Sequence, residues 1–129
     1  MNGLYIEATK STPEISFDPD ENKLILRGQS YPENAFKFYE PILNWLKQYI
    51  EKLQTEVQVI IELNLPYINT SSSKCFMMLL DLLEDAYNDG KLIDLKWYYN
   101  EENESELECA EEFKEDLSFP FQIIPHVEA

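Results

Sequence analysis

The sequence predicts a single α/β domain in which helices cover a mixed β-sheet. Short segments of alternating apolar and polar residues are interspersed with longer segments of helical spacing, in the order hairpin, helix, strand, helix, strand, helix, strand. The 129 residues suit one core and leave little room for a second, so we take residues 1–129 as one domain. Hydrophobic residues make up 44% of the chain, which is enough apolar surface to offset the entropy cost of folding.

The N-terminal segment EISFDPDENKLILRG predicts a β-hairpin, after a first apolar stretch at residues 4–6. Residues 18–22 have the composition of a turn, and apolar residues alternate on either side of it. These apolar positions are Ile15, Phe17, Leu24 and Leu26. The acidic turn lacks the glycine and the spaced ligands of an EF-hand loop, so we interpret it as a solvated turn.

The residues Ser30-Tyr31-Pro32-Glu33 predict the start of the first helix. In such a capping box the Ser and Glu side chains satisfy free backbone donors, and proline is tolerated in the first turn. Apolar residues then recur at helical spacing as far as Leu53. Because Pro41 lacks a backbone N–H, we expect it to bend or split this helix.

The segment from Glu56 to Leu65 predicts a strand near the centre of the sheet, because alternate apolar residues share one face and Ile60 makes the other partly apolar. After YINTSSSK, the segment CFMMLLDLLEDAYNDG has helical spacing, and Gly90 is typical of the position just beyond a helix. Met77 and Met78 in this helix face either the core or an adaptable partner groove, and their spacing favours the core.

Three elements are predicted in the C-terminal third. LIDLKWYYN alternates as a half-buried strand, EENESELECAEEFKEDL keeps a narrow apolar stripe as a surface helix or a partly ordered loop, and FPFQII is a last strand.

The charge of the chain excludes some partners. A net charge of -15 repels nucleic acid and anionic membrane surfaces. No apolar run approaches the ~20 residues that span a bilayer, and the N-terminus does not resemble a signal peptide, so we predict a cytoplasmic protein without membrane insertion. Cys75 and Cys109 have no CxxC spacing and are expected to be reduced structural thiols.

The sequence offers no recognisable catalytic constellation. The sole histidine, His126, is near the C-terminus, and no glycine-rich phosphate loop or metal-binding spacing is found. We therefore expect a protein that is not an enzyme and needs no cofactor or metal.

The most informative segment is Leu65–Lys74, LPYINTSSSK. Asn, Thr and Ser are preferred at helix starts, where their oxygens accept from free N–H groups, but one or two of them suffice for capping. A phosphate on Thr70 would lie at the positive end of the helix dipole, with Lys74 one turn along as a counter-charge. Capping alone and a phosphorylation switch both remain open, and the residues by themselves favour capping.

The chain resembles the SiaC-type regulatory phosphoproteins, bacterial partner-switch proteins similar in logic to anti-sigma-factor antagonists. The resemblance rests on TPEISFD, GQSYPENAFKFYEPILNWL, LPYINTSSSK, KWYYN and EEFKEDLSFPFQII, in that order along nearly the whole chain. It implies a fold that is STAS-like in general organisation.

The resemblance also implies a function. The Thr of NTSS, the family's phosphoacceptor, corresponds to Thr70. The unphosphorylated protein is expected to activate a SiaD-like diguanylate cyclase, and thereby to control cyclic-di-GMP and biofilm formation or aggregation. A SiaB-like Ser/Thr kinase and a SiaA-like, PP2C-like phosphatase are expected to set the phosphorylation level. We expect the surface around Thr70 to contact the kinase and the partner, through Tyr67, Asn69, Ser71, Ser72 and Lys74.

Two alternatives belong to other functional classes. A constitutive acidic scaffold or inhibitor would bind a basic partner through residues 101–116, and this binding would weaken steeply with salt. An enzyme with Ser71 or Ser72 as nucleophile would lack a base.

Overall fold

The computed structural model describes residues 1–127, which form one six-stranded sheet and three helices. The elements are β1 (Leu4–Ile6), β2 (Glu14–Asp18), β3 (Lys23–Arg27), α1 (Ala35–Lys52), β4 (Gln58–Asn64), α2 (Thr70–Asn88), β5 (Leu92–Asn100), α3 (Glu104–Lys114) and β6 (Phe121–His126). The strands lie in the order β1-β2-β3-β4-β5-β6, so β4 is an interior strand, as predicted.

The sheet is mixed, and its helices lie on one face. The pairs β1–β2 and β2–β3 are antiparallel, whereas β3 to β6 are parallel. Each parallel step passes through one helix to the adjacent strand in the same direction, and right-handed crossovers of this kind place every helix on the same side. The buried strand side chains share that face: Ile15, Phe17, Leu24, Leu26, Val59, Ile61, Leu63, Ile93, Leu95, Trp97 and Phe121.

Aromatic side chains pack together in the part of the core where β5, α2 and α3 meet. The Trp97 ring stacks on Phe113 of α3, with a centroid distance of 5.5 Å, and meets Phe76 of α2 edge-on at 5.7 Å. The segment left open between helix and loop is thus a helix, and its aromatic residue anchors it to the sheet. These observations confirm the α/β class, the mixed sheet and the predicted order of elements.

The predicted hairpin and its solvated turn are present. The Asp18 carboxylate accepts the N–H groups of Asp20 and Glu21 at 2.9 and 3.2 Å. Asn22 takes the left-handed backbone conformation, with φ of 54°, which a short polar residue tolerates. The turn is closed by its own carboxylate, which accounts for the acid at this position.

The predicted capping box at Ser30 is wrong. α1 begins at Ala35, and its N-cap is Asn34, whose side-chain oxygen accepts the N–H of Lys37 at 3.1 Å. Ser30 instead forms a parallel bridge with Ile68 and is completely buried. Its hydroxyl contacts the side chains of Tyr39 and Ser72, and the N-cap of α1 is Asn34 instead.

Two further expectations concern the long helices. α1 runs unbroken through Pro41, so the predicted split does not occur. α2 ends as predicted, with Gly90 at φ of +98° just beyond it. Within residues 1–127, none of the helices is long and apolar enough to cross a bilayer.

Candidate functional site at the start of α2

The candidate site is the loop that leaves β4 and the first turn of α2. Asn69 is the N-cap, with an extended backbone, and its side-chain oxygen accepts the N–H of Ser72 at 2.8 Å. Its main-chain oxygen accepts the N–H of Ser73 at 2.8 Å. Thr70 is therefore the first helical residue, where the free N–H groups of the first turn give the helix its positive end.

The four hydroxyl residues of the first turn differ in exposure. Thr70 and Ser71 are exposed, Ser73 is half-buried, and Ser72 is 0% exposed. The expectation that Ser72 lies on the partner surface is therefore wrong for its side chain. Ser72 precedes the buried Phe76 by one helical turn and so shares its inward face. This spacing in the sequence was the signal that could have separated Ser72 from its neighbours.

A chain of buried hydroxyl groups joins α1, the loop after β3 and α2. Ser30 Oγ donates to Ser72 Oγ at 2.9 Å, and it lies 2.7 Å from the hydroxyl oxygen of Tyr39. Because Ser30 has one hydroxyl proton and gives it to Ser72, Tyr39 must donate to Ser30. Burial raises the pKa of Tyr39 to about 12, so this hydroxyl stays protonated near neutral pH.

The main chain of Ser30 also holds the segment before Thr70. The N–H of Ser30 donates to the main-chain oxygen of Tyr67 at 2.8 Å, and the N–H of Asn69 donates to the oxygen of Ser30 at 2.9 Å. The residues on both sides of Thr70 are thus tied to one buried serine, while Thr70 itself remains exposed.

Large side chains are exposed near the start of α2. Tyr67 is 54% exposed, and its ring meets that of Tyr31 edge-on at 5.9 Å. A groove of about 440 Å³ lies between the starts of α1 and α2. Its lining comprises Glu33, Asn34, Ala35, Phe36, Ser71, Lys74, Cys75 and Met78.

Three of the apolar residues near this groove are unusually exposed for their size. Phe36 is 53% exposed, Met77 47% and Met78 45%. The prediction that the two methionines face the core is therefore wrong, and the alternative, an outward-facing position, is the one observed. Phe36 was missed by sequence reasoning, although it is a large aromatic residue outside the buried stripe that includes Ala35, Tyr39 and Ile42.

The electrostatics of the first turn favour a negative charge. The first turn of α2 holds no acidic residue, although the chain has 25. Lys74 is exposed and four residues after Thr70, which puts the two on the same helix face. Among residues 1–127, no group of three or more His, Cys, Asp or Glu side chains is arranged to hold a metal ion.

Comparisons with known proteins agree on one family. The model of the SiaC family of regulatory phosphoproteins matches residues 6–126. A protein of Pseudomonas aeruginosa (strain UCBPP-PA14) is 41% identical over 128 residues, which are 99% of this chain and 100% of that protein.

Solved structures match as well. The structure of SiaC of Pseudomonas aeruginosa is 40% identical, with a TM-score of 0.91 over 98% of this chain and 100% of that one. A crystal structure of the diguanylate cyclase SiaD of Pseudomonas aeruginosa in complex with its activator SiaC contains a chain that is 41% identical. That chain has a TM-score of 0.90, over 95% of this chain and 99% of its own length.

Proposed function

Because the chain belongs to the SiaC family of regulatory phosphoproteins, we propose that it is a non-enzymatic signalling module switched by phosphorylation of Thr70. The unphosphorylated form binds and activates a diguanylate cyclase, and the phosphorylated form does not. One observation carries this proposal: Thr70 presents an exposed hydroxyl on an uncharged first turn, beside a groove with exposed apolar side chains.

The fold tolerates a phosphate at this position. A phosphothreonine adds about -1.5 to -2 charges and three acceptor oxygens. At Thr70 these would lie at the positive end of α2, within reach of Lys74 one turn along. The side chain is exposed, so the phosphate remains hydrated and the core is undisturbed.

The same phosphate would oppose docking. A partner that packs on Phe36 and Met78 in the groove must also cover Ser71 and the surface next to Thr70. Covering a dianion removes it from water, which is costly unless the partner supplies matched cations. We propose that Tyr67, Asn69, Ser71 and Lys74 form the polar part of this docking surface, and that Ser72 supports it from beneath.

Family membership supports a proposal for the partner and the regulators. In a crystal structure from Pseudomonas aeruginosa, the related SiaC is in complex with the diguanylate cyclase SiaD, whose activator it is. We propose a SiaD-like cyclase as the partner of this chain, a SiaB-like kinase and a SiaA-like, PP2C-like phosphatase as its regulators, and the cytoplasm as its location. Its output would be the level of cyclic-di-GMP, and hence biofilm formation.

Phosphorylation followed by a cyclase assay tests this function. The purified chain is incubated with the SiaB-like kinase of the same organism and ATP, and the phosphate is mapped by mass spectrometry. We expect modification at Thr70 and a loss of SiaD-like cyclase binding of at least about tenfold, since desolvating the charge costs more than 1.4 kcal/mol. Cyclase activation, measured as cyclic-di-GMP produced, should fall in parallel.

A matched pair of variants separates position from charge. Thr70→Asp and Ser105→Asp both add one carboxylate to an exposed site in the first turn of a helix. Only Thr70→Asp should weaken cyclase binding. Phosphate confined to other residues, or a phosphorylated chain that binds as well as the unmodified one, would refute the switch. Binding that falls steeply with salt and ignores Thr70 would favour the scaffold that acts through residues 101–116.

A further inference from the structure

Ser30 is the centre of the hydrogen bonds that order the segment around Thr70. Its main chain bonds to Tyr67 and Asn69, and its hydroxyl bonds to Ser72 and Tyr39, at distances of 2.7 to 2.9 Å. Ser30 and Ser72 are both 0% exposed, and Tyr39 is as well. One buried residue thus fixes positions 67, 69 and 72, which flank the acceptor on both sides.

We propose that the buried hydroxyl chain Tyr39–Ser30–Ser72 is a positioning device that presents the Thr70 hydroxyl to the kinase and withholds Ser72 from it. This inference rests on the proposed function, since it concerns how the acceptor at Thr70 is selected. Tyr39, Ser30 and Ser72 are positioning residues, because none of them touches the transferred phosphoryl group.

Stability alone does not account for three buried hydroxyls. Replacing hydrogen-bonded partners by apolar groups of the same shape is often nearly neutral for stability, so a fully apolar contact would hold the helices together as well. Hydrogen bonds differ from apolar contacts in being directional. A buried chain of hydrogen bonds therefore favours one arrangement of its neighbours, here the register of the loop 65–69 against the start of α1.

The buried hydroxyl chain Tyr39–Ser30–Ser72 also explains which of the adjacent hydroxyls can be phosphorylated. Thr70 and Ser71 are exposed, whereas the oxygen of Ser72 is covered and already accepts a proton from Ser30. A kinase could reach Ser72 only after the first turn of α2 separated from Ser30. The device thus directs modification to the outer positions of the run.

α1 contains a matched control. Tyr49 is a second buried tyrosine of the same helix, and burial likewise raises its pKa to about 12. Its hydroxyl donates to the side-chain oxygen of Asn22 at 2.6 Å, in the hairpin turn rather than at the acceptor segment. Tyr39→Phe and Tyr49→Phe each delete one buried, hydrogen-bonded hydroxyl and keep the ring.

The experiment compares these two variants by amide hydrogen exchange and by phosphorylation kinetics. Both should show similar falls in the urea midpoint of unfolding. Only Tyr39→Phe should accelerate exchange at residues 67–73, by about fivefold for the loss of one hydrogen bond, and only Tyr39→Phe should lower kcat/KM for phosphorylation by a similar factor. Ser72 should remain unmodified in the wild-type chain.

Several outcomes would overturn the positioning role. They are an unchanged kcat/KM in Tyr39→Phe, an equal effect of Tyr49→Phe on the acceptor segment, or phosphate on Ser72 in the wild type. The exchange measurement needs no kinase. A wild-type chain that is not phosphorylated at all would refute the proposed function. Equal exchange at residues 67–73 in the two variants would refute the ordering of this segment by Tyr39, whether or not the chain is phosphorylated.

Discussion

The first turns of α2 and α3 have the same kind of N-cap but differ in the side chains at the positive end of the helix dipole. Both helices begin after an asparagine N-cap: the Asn69 side chain accepts the N–H of Ser72 at 2.8 Å, and that of Asn103 accepts the N–H of Glu106 at 3.3 Å. The first turn of α3 then carries Glu104 and Glu106, whereas that of α2 carries no acid. α3 thus has acidic side chains where a helix favours negative charge, and α2 has hydroxyl side chains in the same place.

This difference indicates what the start of α2 is built for. In a chain with 25 acidic residues, a first turn of TSSS departs from the general composition. A phosphate on Thr70 would add negative charge to the first turn of α2 only in the modified state. The neutral state leaves the surface beside Phe36 and Met78 free of negative charge from this turn, which suits a docking surface.

The largest expected effect on stability distinguishes the buried hydroxyl residue Ser72 from the exposed hydroxyl residue Thr70. Ser72→Asp places a carboxylate at a site with 0% exposure, next to the hydroxyl of Ser30. We expect the free energy of unfolding to fall by about 3 kcal/mol or more, measured by urea denaturation. Thr70→Asp, two residues earlier and exposed, should remain within about 1 kcal/mol of the wild type. Equal stabilities of the two variants would contradict the inward orientation of Ser72.

The regular elements could be predicted because their signals are local. The period of two in β2, β3, β4 and β5 follows from one buried face, and the helical spacing in α1 and α2 from one apolar stripe. The narrow apolar stripe of the acidic segment left a helix and a partly ordered loop both open, and the structure shows the helix α3, whose Phe113 stacks on Trp97. Thr70 was identified as a candidate acceptor from the run of hydroxyls and from the family motif, and the structure places it at an exposed helix start.

The remaining features depend on contacts between distant segments. Ser30 matches a capping box in the sequence, but its pairing with Ile68, across 38 residues, overrides the local pattern. The outward position of Met77 and Met78 depends on which arc of α2 faces α1, and helical spacing alone tolerates either arrangement. Likewise, Phe36 becomes part of a groove only because the starts of α1 and α2 lie side by side.

An intermediate effect concerns the two asparagine caps. Asn69→Ala and Asn103→Ala should each lower the free energy of unfolding by about 1 kcal/mol, since each removes one side-chain acceptor from a first turn. The two variants should differ in function. Asn69→Ala loosens the turn that carries Thr70, so it should also weaken cyclase activation, while Asn103→Ala should leave it unchanged. Activation that falls equally in both would show that the two helix starts are not functionally distinct.

The smallest expected effect concerns charge at the two first turns. Thr70→Asp gives α2 the kind of charge that α3 already has, and Glu104→Gln removes one from α3. At low ionic strength, Thr70→Asp should raise the free energy of unfolding by about 0.3–1 kcal/mol and Glu104→Gln should lower it by a similar amount. Because both sites are exposed, both differences should shrink towards zero in 1 M salt, where the Debye length is about 3 Å.

A Thr70→Asp variant that is less stable than the wild type at low salt would mean that repulsion within a chain of charge -15 outweighs the helix dipole. The start of α2 would then tolerate a phosphate only through Lys74, and Lys74→Gln should lower the stability of the Thr70→Asp chain more than that of the wild type.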